Sequence, residues 1–257
     1  LASTALWHID SGWKVDRNRP IPTGESTGLF LSAAGGEREA IQLVLTPRED
    51  LKSLTLRNTA LSNAVGDTLE RDAIEIFQVG YVTITQPSDP LGAAALWPDP
   101  LLPIEGPIDL KKGINHPLWI RVNIPEGTPP GLYEGTILIA EGGRKISVPL
   151  KVDVYGFSLP RQMSCSTAFG FSFSNVIRYH NLSDIEDKRR VLDLYLENFS
   201  AHRISPYDPA PLDPPRVSWN HTVPQFDWSA WDKSMTKAIE HYGFNSFRLA
   251  VSGLGFG

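Results

Sequence analysis

The sequence predicts an antiparallel β-sandwich followed by the first β/α units of a truncated (β/α)8 TIM barrel. Three features carry this. Apolar residues recur with a period of two through the first 160 residues, Pro and Gly punctuate those runs, and beyond Leu159-Pro160 helical spacing takes over between short apolar runs. The expected boundaries are 1–160 for the β-sandwich and 161–257 for the N-terminal portion of the barrel.

The strands follow in order. Ile41, Leu43 and Leu45 alternate with polar or small residues, and residues 74–79 (IEIFQV) make a second run. Leu118, Ile120, Val122 and Ile124 alternate with Trp, Arg and Asn, whereas Ile146, Val148, Leu150, Val152 and Val154 alternate with Ser, Pro, Lys and Asp. Side chains point to opposite faces along a strand, so each run buries one face and wets the other. Between two runs lies IPEGTPPGLYEG (124–135). Pro125 ends the first strand because it has no N–H for a ladder, and Pro129-Pro130-Gly131 is predicted to make the tight reversal. Tyr133, Ile137 and Ile139 open the next strand. No helix is expected before residue 160.

In the second half, residues 164–174 (SCSTAFGFSFS) read as a strand leading into a loop. Ser183 with Glu186 forms a capping box for a helix that carries Val191, Leu192, Tyr195, Leu196 and Phe199 on one face. Residues 204–207 read as a short strand. A second helix starts near Asp227 or Ser229, buries Trp231, Met235, Ala238, Ile239 and Tyr242, and stops at Gly243. Residues 244–251 (FNSFRLAV) are a further strand. Two crossovers cannot cover a parallel sheet, and a complete barrel takes about 250 residues. The barrel is therefore expected to continue past Gly257; a complete small α/β domain is the alternative.

Composition bounds the function. The 257 residues carry a formal charge of −5, with 41% hydrophobic and 21% charged residues, as in a folded globular protein. No basic run points to nucleic acid, and no apolar stretch reaches the ~18 residues of a membrane span. Cys165 is the single cysteine, which excludes an internal disulfide or a cysteine zinc site, and it is expected to be a small buried residue. The six histidines lack metal-ligand spacing, so no metal and no cofactor are expected. Leu1 in place of Met is compatible with a mature secreted form. Asn181, Asn198 and Asn220 open Asn-x-Ser/Thr sequons.

The pieces EREAIQLVLTP (37–47), NHPLWIRVNIPEGTPPGLYEGTILI (115–139), VPLKVDVYGFSLP (148–160) and STAFG (166–170) resemble the N-terminal β-sandwich of glycoside hydrolase family 123. AHRISPYDP (201–209) and HYGFNSFRLAVSGLGFG (241–257) resemble the opening of that family's catalytic barrel. The resemblance implies removal of terminal β-linked N-acetylgalactosamine by substrate-assisted, retaining hydrolysis, one of the exceptions to the two-carboxylate scheme. The substrate's acetamido oxygen attacks the anomeric carbon. One carboxyl protonates the leaving oxygen and its neighbour orients the acetamide, the two forming an adjacent Asp-Glu pair in the family. This chain contains no Asp-Glu dipeptide; Glu49-Asp50 and Glu186-Asp187 have the reverse order and sit in surface contexts. The catalytic acid is therefore unassigned.

Barrel sites lie at the C-terminal ends of the strands, which nominates residues 169–172, Tyr207-Asp208 and Ser252-Gly253. Asp208 can accept two sugar hydroxyls, against the plainer reading of a loop aspartate between prolines. Tyr207 and Phe171 can stack on a sugar face or, more simply, pack against the sandwich. Arg248, inside a strand, is expected to point into the barrel toward a ligand or, more simply, an acidic partner. His180 is a minor candidate in a loop. Trp7, Trp13 and Trp119 are expected to fill the sandwich core, Trp228 and Trp231 to lie on or beside the second helix, and Trp97 to sit in a long loop. GLGFG (253–257) reads as a barrel loop, not a nucleotide loop.

The expected protein is thus a secreted or periplasmic glycoside hydrolase with a carbohydrate substrate and a possible homo-oligomeric state. A glycosidase of other specificity on the same scaffold, or a non-catalytic carbohydrate-binding or surface module, is the alternative.

Overall fold

The computed structural model describes residues 1, 3–23, 28–90, 92–160 and 163–249. It divides into two compact units, Leu1–Leu159 and Pro160–Gly257.

The first unit is a two-sheet sandwich. Its strands are β1 (Ala5–Asp10), β2 (Leu29–Gly35), β3 (Arg38–Thr46), β4 (Leu51–Asn58), β5 (Leu61–Ser62), β6 (Thr68–Leu69), β7 (Ile74–Ile84), β8 (Ala95–Pro103), β9 (Ile108–Leu110), β10 (His116–Asn123), β11 (Gly131–Glu141) and β12 (Arg144–Ser158). One sheet has the order β1-β3-β10-β7-β8 and the other β2-β12-β11-β4-β9, with β5 paired to β11 and β6 to β5. The alternation is realised as expected. Leu43, Leu45, Leu118 and Ile120 are fully buried on one inner face, and Tyr133, Ile137, Ile139, Leu150 and Val152 on the other, in a single core.

Four expectations for this unit need correction. The sandwich is not purely antiparallel: β2 runs parallel to β12, Leu29 opposite Leu150 and Ala33 opposite Val154. Second, the corner after β10 turns earlier than Pro129. Thr128 N–H donates to Pro125 O at 3.2 Å, with Gly127 at φ 78°, while Pro129-Pro130 run on to Gly131 at φ 141°. That corner joins different sheets, since β10 and β11 are not partners. Third, Trp97 lies in strand β8, not in a loop. Pro98, Pro100 and Pro103 hide this strand in the sequence, and β8 is the outermost strand of its sheet, where a missing N–H costs no ladder bond. Finally, Trp7 is buried outside the sandwich core, in a small cluster with Val15 and Val44, while Trp119 is only half-buried and Trp13, in the segment after β1, is 57% exposed.

The second unit holds α1 (Phe173–Tyr179), α2 (Ile185–Ala201), the hairpin β13 (Arg216–Asn220) and β14 (Val223–Asp227), and α3 (Ser229–Glu240). Asp184, not Ser183, caps α2: its carboxylate accepts the N–H groups of Glu186 and Asp187. An anionic cap meets the positive end of the helix dipole better than a hydroxyl does. Leu192 and Leu196 are buried, with Val191, Tyr195 and Phe199 packed beside them. In α3, Met235 and Ala238 are buried and Trp231 packs against them, but Ile239 is 51% exposed, one step round the helix from the Trp231–Met235–Ala238 stripe. Tyr242 and Phe244 beyond the helix complete this core, and Gly243, at φ 73°, lets Phe244 N–H return to Ala238 O at 3.1 Å.

The hairpin was not expected. Its signal was present: two short alternating runs, Val217/Trp219 and Pro224/Phe226, flank the two-residue turn His221-Thr222, with His221 at φ 54°. The three stretches predicted as strands of this unit are much reduced. Residues 164–174 contribute a single parallel bridge, Phe169 to Pro206, before α1 begins, and residues 244–249 form no strand. Residues 250–257, with GLGFG and Ser252-Gly253, lie outside the described residues. Of a barrel, the described residues show three helices and no closed cylinder. Cys165 is exposed, because Met163 takes the core position at the start of this segment.

Among the described residues no helix is long and apolar enough to cross a membrane.

Candidate functional site

Three short extended segments are joined side by side. Phe169 N–H donates to Ser205 O at 2.9 Å, Tyr207 N–H to Phe169 O at 2.9 Å, and Arg248 N–H to Tyr207 O at 2.8 Å. The chain passes through α1 and α2 between the first two segments, and through the hairpin and α3 between the second and third. Side chains tie these segments together below the site. Asn245 Nδ2 donates to Met163 O at 2.9 Å and to Cys165 O at 3.2 Å. The fully buried Ser205 hydroxyl donates to Asn245 Oδ1 at 3.3 Å and receives Asn245 N–H at 3.2 Å. Thr167 Oγ1 receives Ser205 N–H at 2.7 Å, and Ser246 Oγ donates to Thr167 O. Sequence reasoning missed Asn245 and Ser205, since a single polar residue beside an apolar run gives no sign that it spans three segments.

The five candidate residues fall into two groups. Tyr207, Asp208 and Arg248 come together. The Arg248 guanidinium carbon lies 5.8 Å from the Tyr207 ring centre, and its charge acts on Asp208. Arg248 is exposed, and among the described residues no carboxylate lies within ion-pair distance of it, so the expected acidic partner is not at contact range. Burial holds the Asp208 carboxyl above the usual carboxylate range, against the Ala210 N–H it accepts at 3.0 Å and the charge of Arg248. A half-buried carboxyl beside a free guanidinium and an exposed tyrosine ring can take the hydroxyls and one face of a sugar.

Phe171 and His180 meet instead at Tyr195 of α2. Phe171 lies 5.4 Å from the Tyr195 ring and 5.2 Å, edge-on, from Phe199. Partly buried in the second core, Phe171 is packed and not offered to a ligand. The His180 Nε2 and the Tyr195 hydroxyl are 3.1 Å apart.

Two clefts among the described residues of this unit lie elsewhere. One, of about 530 Å³, runs between α2 and α3, and most of its charges are paired: Arg189 grips Asp213 through two bonds at 2.8 and 2.9 Å, while Lys237 and the Tyr242 hydroxyl meet Asp193 at 2.7 and 2.9 Å. Closed pairs of this kind fasten helices. The other, about 750 Å³, surrounds the end of α3. None of the five candidates lines either cleft. Glu49 and Asp50 pair with Arg144 and Lys111, and Asp187 pairs with Arg190, as surface residues.

Comparison with solved structures includes an extended match. A family 123 glycoside hydrolase from Clostridium perfringens, described in a study of glycolipid glycan hydrolysis, shares the fold with a TM-score of 0.70 at 17% identity, over 95% of this chain and 46% of that one. The chain thus spans less than half the length of that enzyme. AvmM, which catalyses macrocyclization in alchivemycin A biosynthesis, matches at a TM-score of 0.32 and 14% identity, over 62% of this chain and 93% of its own. A protein of unknown function from Porphyromonas gingivalis W83 matches at 0.30 and 11%, over 65% and 57%. Scores that low carry no argument. No curated protein matches the chain. The model of the glycoside hydrolase 123 N-terminal domain matches residues 10–141, about half of the chain and most of the sandwich, from the end of β1 through β11. The chain belongs to the glycoside hydrolase 123 N-terminal domain family.

Proposed function

We propose that this protein is part of a secreted or periplasmic glycoside hydrolase that releases a terminal β-linked N-acetylhexosamine, of the N-acetylgalactosamine type, with retention. Residues 161–257 would supply the first β/α units of its catalytic barrel, and Tyr207, Asp208 and Arg248 would bind the sugar. Family membership and the fold shared with the Clostridium perfringens enzyme support this reading. The observation that carries it is the side-by-side bonding of the segments ending at Phe169, Tyr207 and Arg248, each pair separated by helices, which is the connectivity of successive barrel staves.

In the proposed reaction the substrate's acetamido oxygen displaces the leaving group and forms a cyclic intermediate that water opens. The proton for the leaving oxygen comes from a carboxyl this chain does not identify, since it has no Asp-Glu dipeptide. Asp208 would accept hydroxyl hydrogens, Arg248 would donate to ring substituents, and Tyr207 would lie along the sugar.

The test is turnover of an aryl β-N-acetylgalactosaminide by a chain carrying the complete barrel, with NMR of the first-formed anomer. The expected result is retained configuration, with Asp208→Asn and Arg248→Ala each lowering kcat/KM by about tenfold or more, the scale of losing a charged hydrogen bond. Inverted product, or no effect of either substitution, would overturn the assignment.

A further inference from the structure

The outer face of the β1-β3-β10-β7-β8 sheet holds a second arrangement that the barrel chemistry does not use. Gln42 is opposite both Ile9 and Trp119, and Trp119 is opposite Phe77, so these four form a row across the sheet. The segment after β1 is folded over this row and fixed to it. Gln42, 2% exposed, gives both amide hydrogens to that segment, to Asp10 O at 3.1 Å and Trp13 O at 2.7 Å. Val15 is buried against Trp7 and Val44, and the Tyr81 hydroxyl donates to Val15 O at 2.7 Å.

This clamp leaves two adjoining clefts. The first, about 140 Å³, has Trp13, Trp119 and Gln42 in its walls; the second, about 360 Å³, has Trp97 and Arg17. Lys14 and Pro98 line both, so the clefts adjoin as a groove beside β8, divided where Lys14 meets Pro98. Indoles stand at each end, Trp13 57% and Trp97 37% exposed. The polar groups between them are held rigidly and have bonding capacity left. Gln42 Oε1 accepts nothing from the described residues. Arg17 lies 3.8 Å over the Tyr81 ring and spends Nη1 on Asn115 O and His116 Nδ1, while its Nε and Nη2 donate to nothing described. Lys14 bridges the groove to Pro98 O at 3.1 Å and faces Asp99 at 3.5 Å.

We infer that this groove is a binding site for a neutral oligosaccharide, separate from the proposed catalytic site. Flat indoles at both ends suit the apolar faces of successive sugar rings. The stacked Arg17 guanidinium, whose Nε and Nη2 have bonds left to give, suits hydroxyls, and preordered polar groups lose little freedom on binding. The cations Lys14 and Arg17 are balanced by the anions Asp16 and Asp99, so the groove presents no net field to attract a sulfated or sialylated chain. The inference rests on the sandwich alone and does not depend on the barrel reaction.

The test applies the 257-residue chain to an array of immobilised neutral glycans and their sialylated and sulfated counterparts. Retention of neutral glycans is expected, with Trp13→Ala and Trp97→Ala each weakening it about tenfold or more, the loss typical of an aromatic anchor. Trp219→Ala, which removes an exposed indole that does not line the groove, is expected to bind as the parent does. Trp13 is exposed enough that its loss should leave the melting temperature unchanged, and quenching of tryptophan fluorescence by the retained glycan in solution, diminished in Trp13→Ala, gives a second readout. Absence of any retained glycan, undiminished binding by both groove variants, or preference for the anionic glycans would each overturn the inference.

Discussion

The Tyr133 hydroxyl donates to the carbonyl oxygen of Pro129, four residues earlier, at 2.9 Å. The ring is fully buried in the sandwich core while its hydroxyl ties down the corner between β10 and β11. The arrangement has the form of the tyrosine corner of other sandwich folds. One side chain thus fills the core and fixes the path by which the chain changes sheets.

Tyr133→Phe keeps the ring and removes this bond. It is expected to lower stability by about 1 kcal/mol, the net worth of one such bond, whereas Tyr133→Ala should cost about 3–5 kcal/mol by adding a cavity. Urea unfolding measures both. A Tyr133→Phe protein as stable as its parent would show that the corner is held by its prolines alone.

His116 gives the sandwich a pH dependence of defined sign. An arginine only donates, so His116 Nδ1 must accept from Arg17 Nη1 at 3.1 Å, and the ring proton sits on Nε2, bonded to Lys111 O at 2.9 Å. Burial, the larger cause, and the charge of Arg17 hold its pKa below the ordinary imidazole value of 6.5, against the Lys111 carbonyl. Between the lowered folded value and 6.5 the unfolded chain binds more protons, so stability rises with pH across that window and levels off above it. Lowering the pH from about 7 to about 5 should shift the urea midpoint downward. His116→Gln should flatten the profile in that range; an unchanged profile would reject His116 as its source.

Asn245 is expected to carry the second unit's alignment. Asn245→Ala removes its donors to Met163 O and Cys165 O and should cost about 1–3 kcal/mol, as expected when paired groups lose a partner. Limited proteolysis should then cut residues 163–170 faster while the sandwich stays resistant. Unaltered cleavage would show that Thr167 and Ser246 suffice.

Much of the sandwich was legible because a period of two is a strong signal when one face is buried, as in the β12 run from Ile146 to Val154. Which sheet each strand joins was not, because register and partner are decided by tertiary contact. The parallel partnership of Leu29 with Leu150 leaves no local trace. Trp97 misled for a different reason, since its flanking prolines are forbidden in a central strand and permitted at an edge. At the candidate site, residue types pointed to Tyr207, Asp208 and Arg248, but their proximity depends on the backbone bond from Arg248 to Tyr207. Phe171 could be read either way, because an aromatic at a strand end packs into a core as readily as it stacks on a ligand.

The pairing of β2 with β12 also bears on synthesis. An early strand and the last strand of the unit are neighbours, so nearly the entire sandwich must leave the ribosome before that edge can be laid down. Until then β2 has no partner in its sheet. Closure over so long a loop is slow, which makes the nascent chain's exposed early strand the point at which a chaperone would have most to protect.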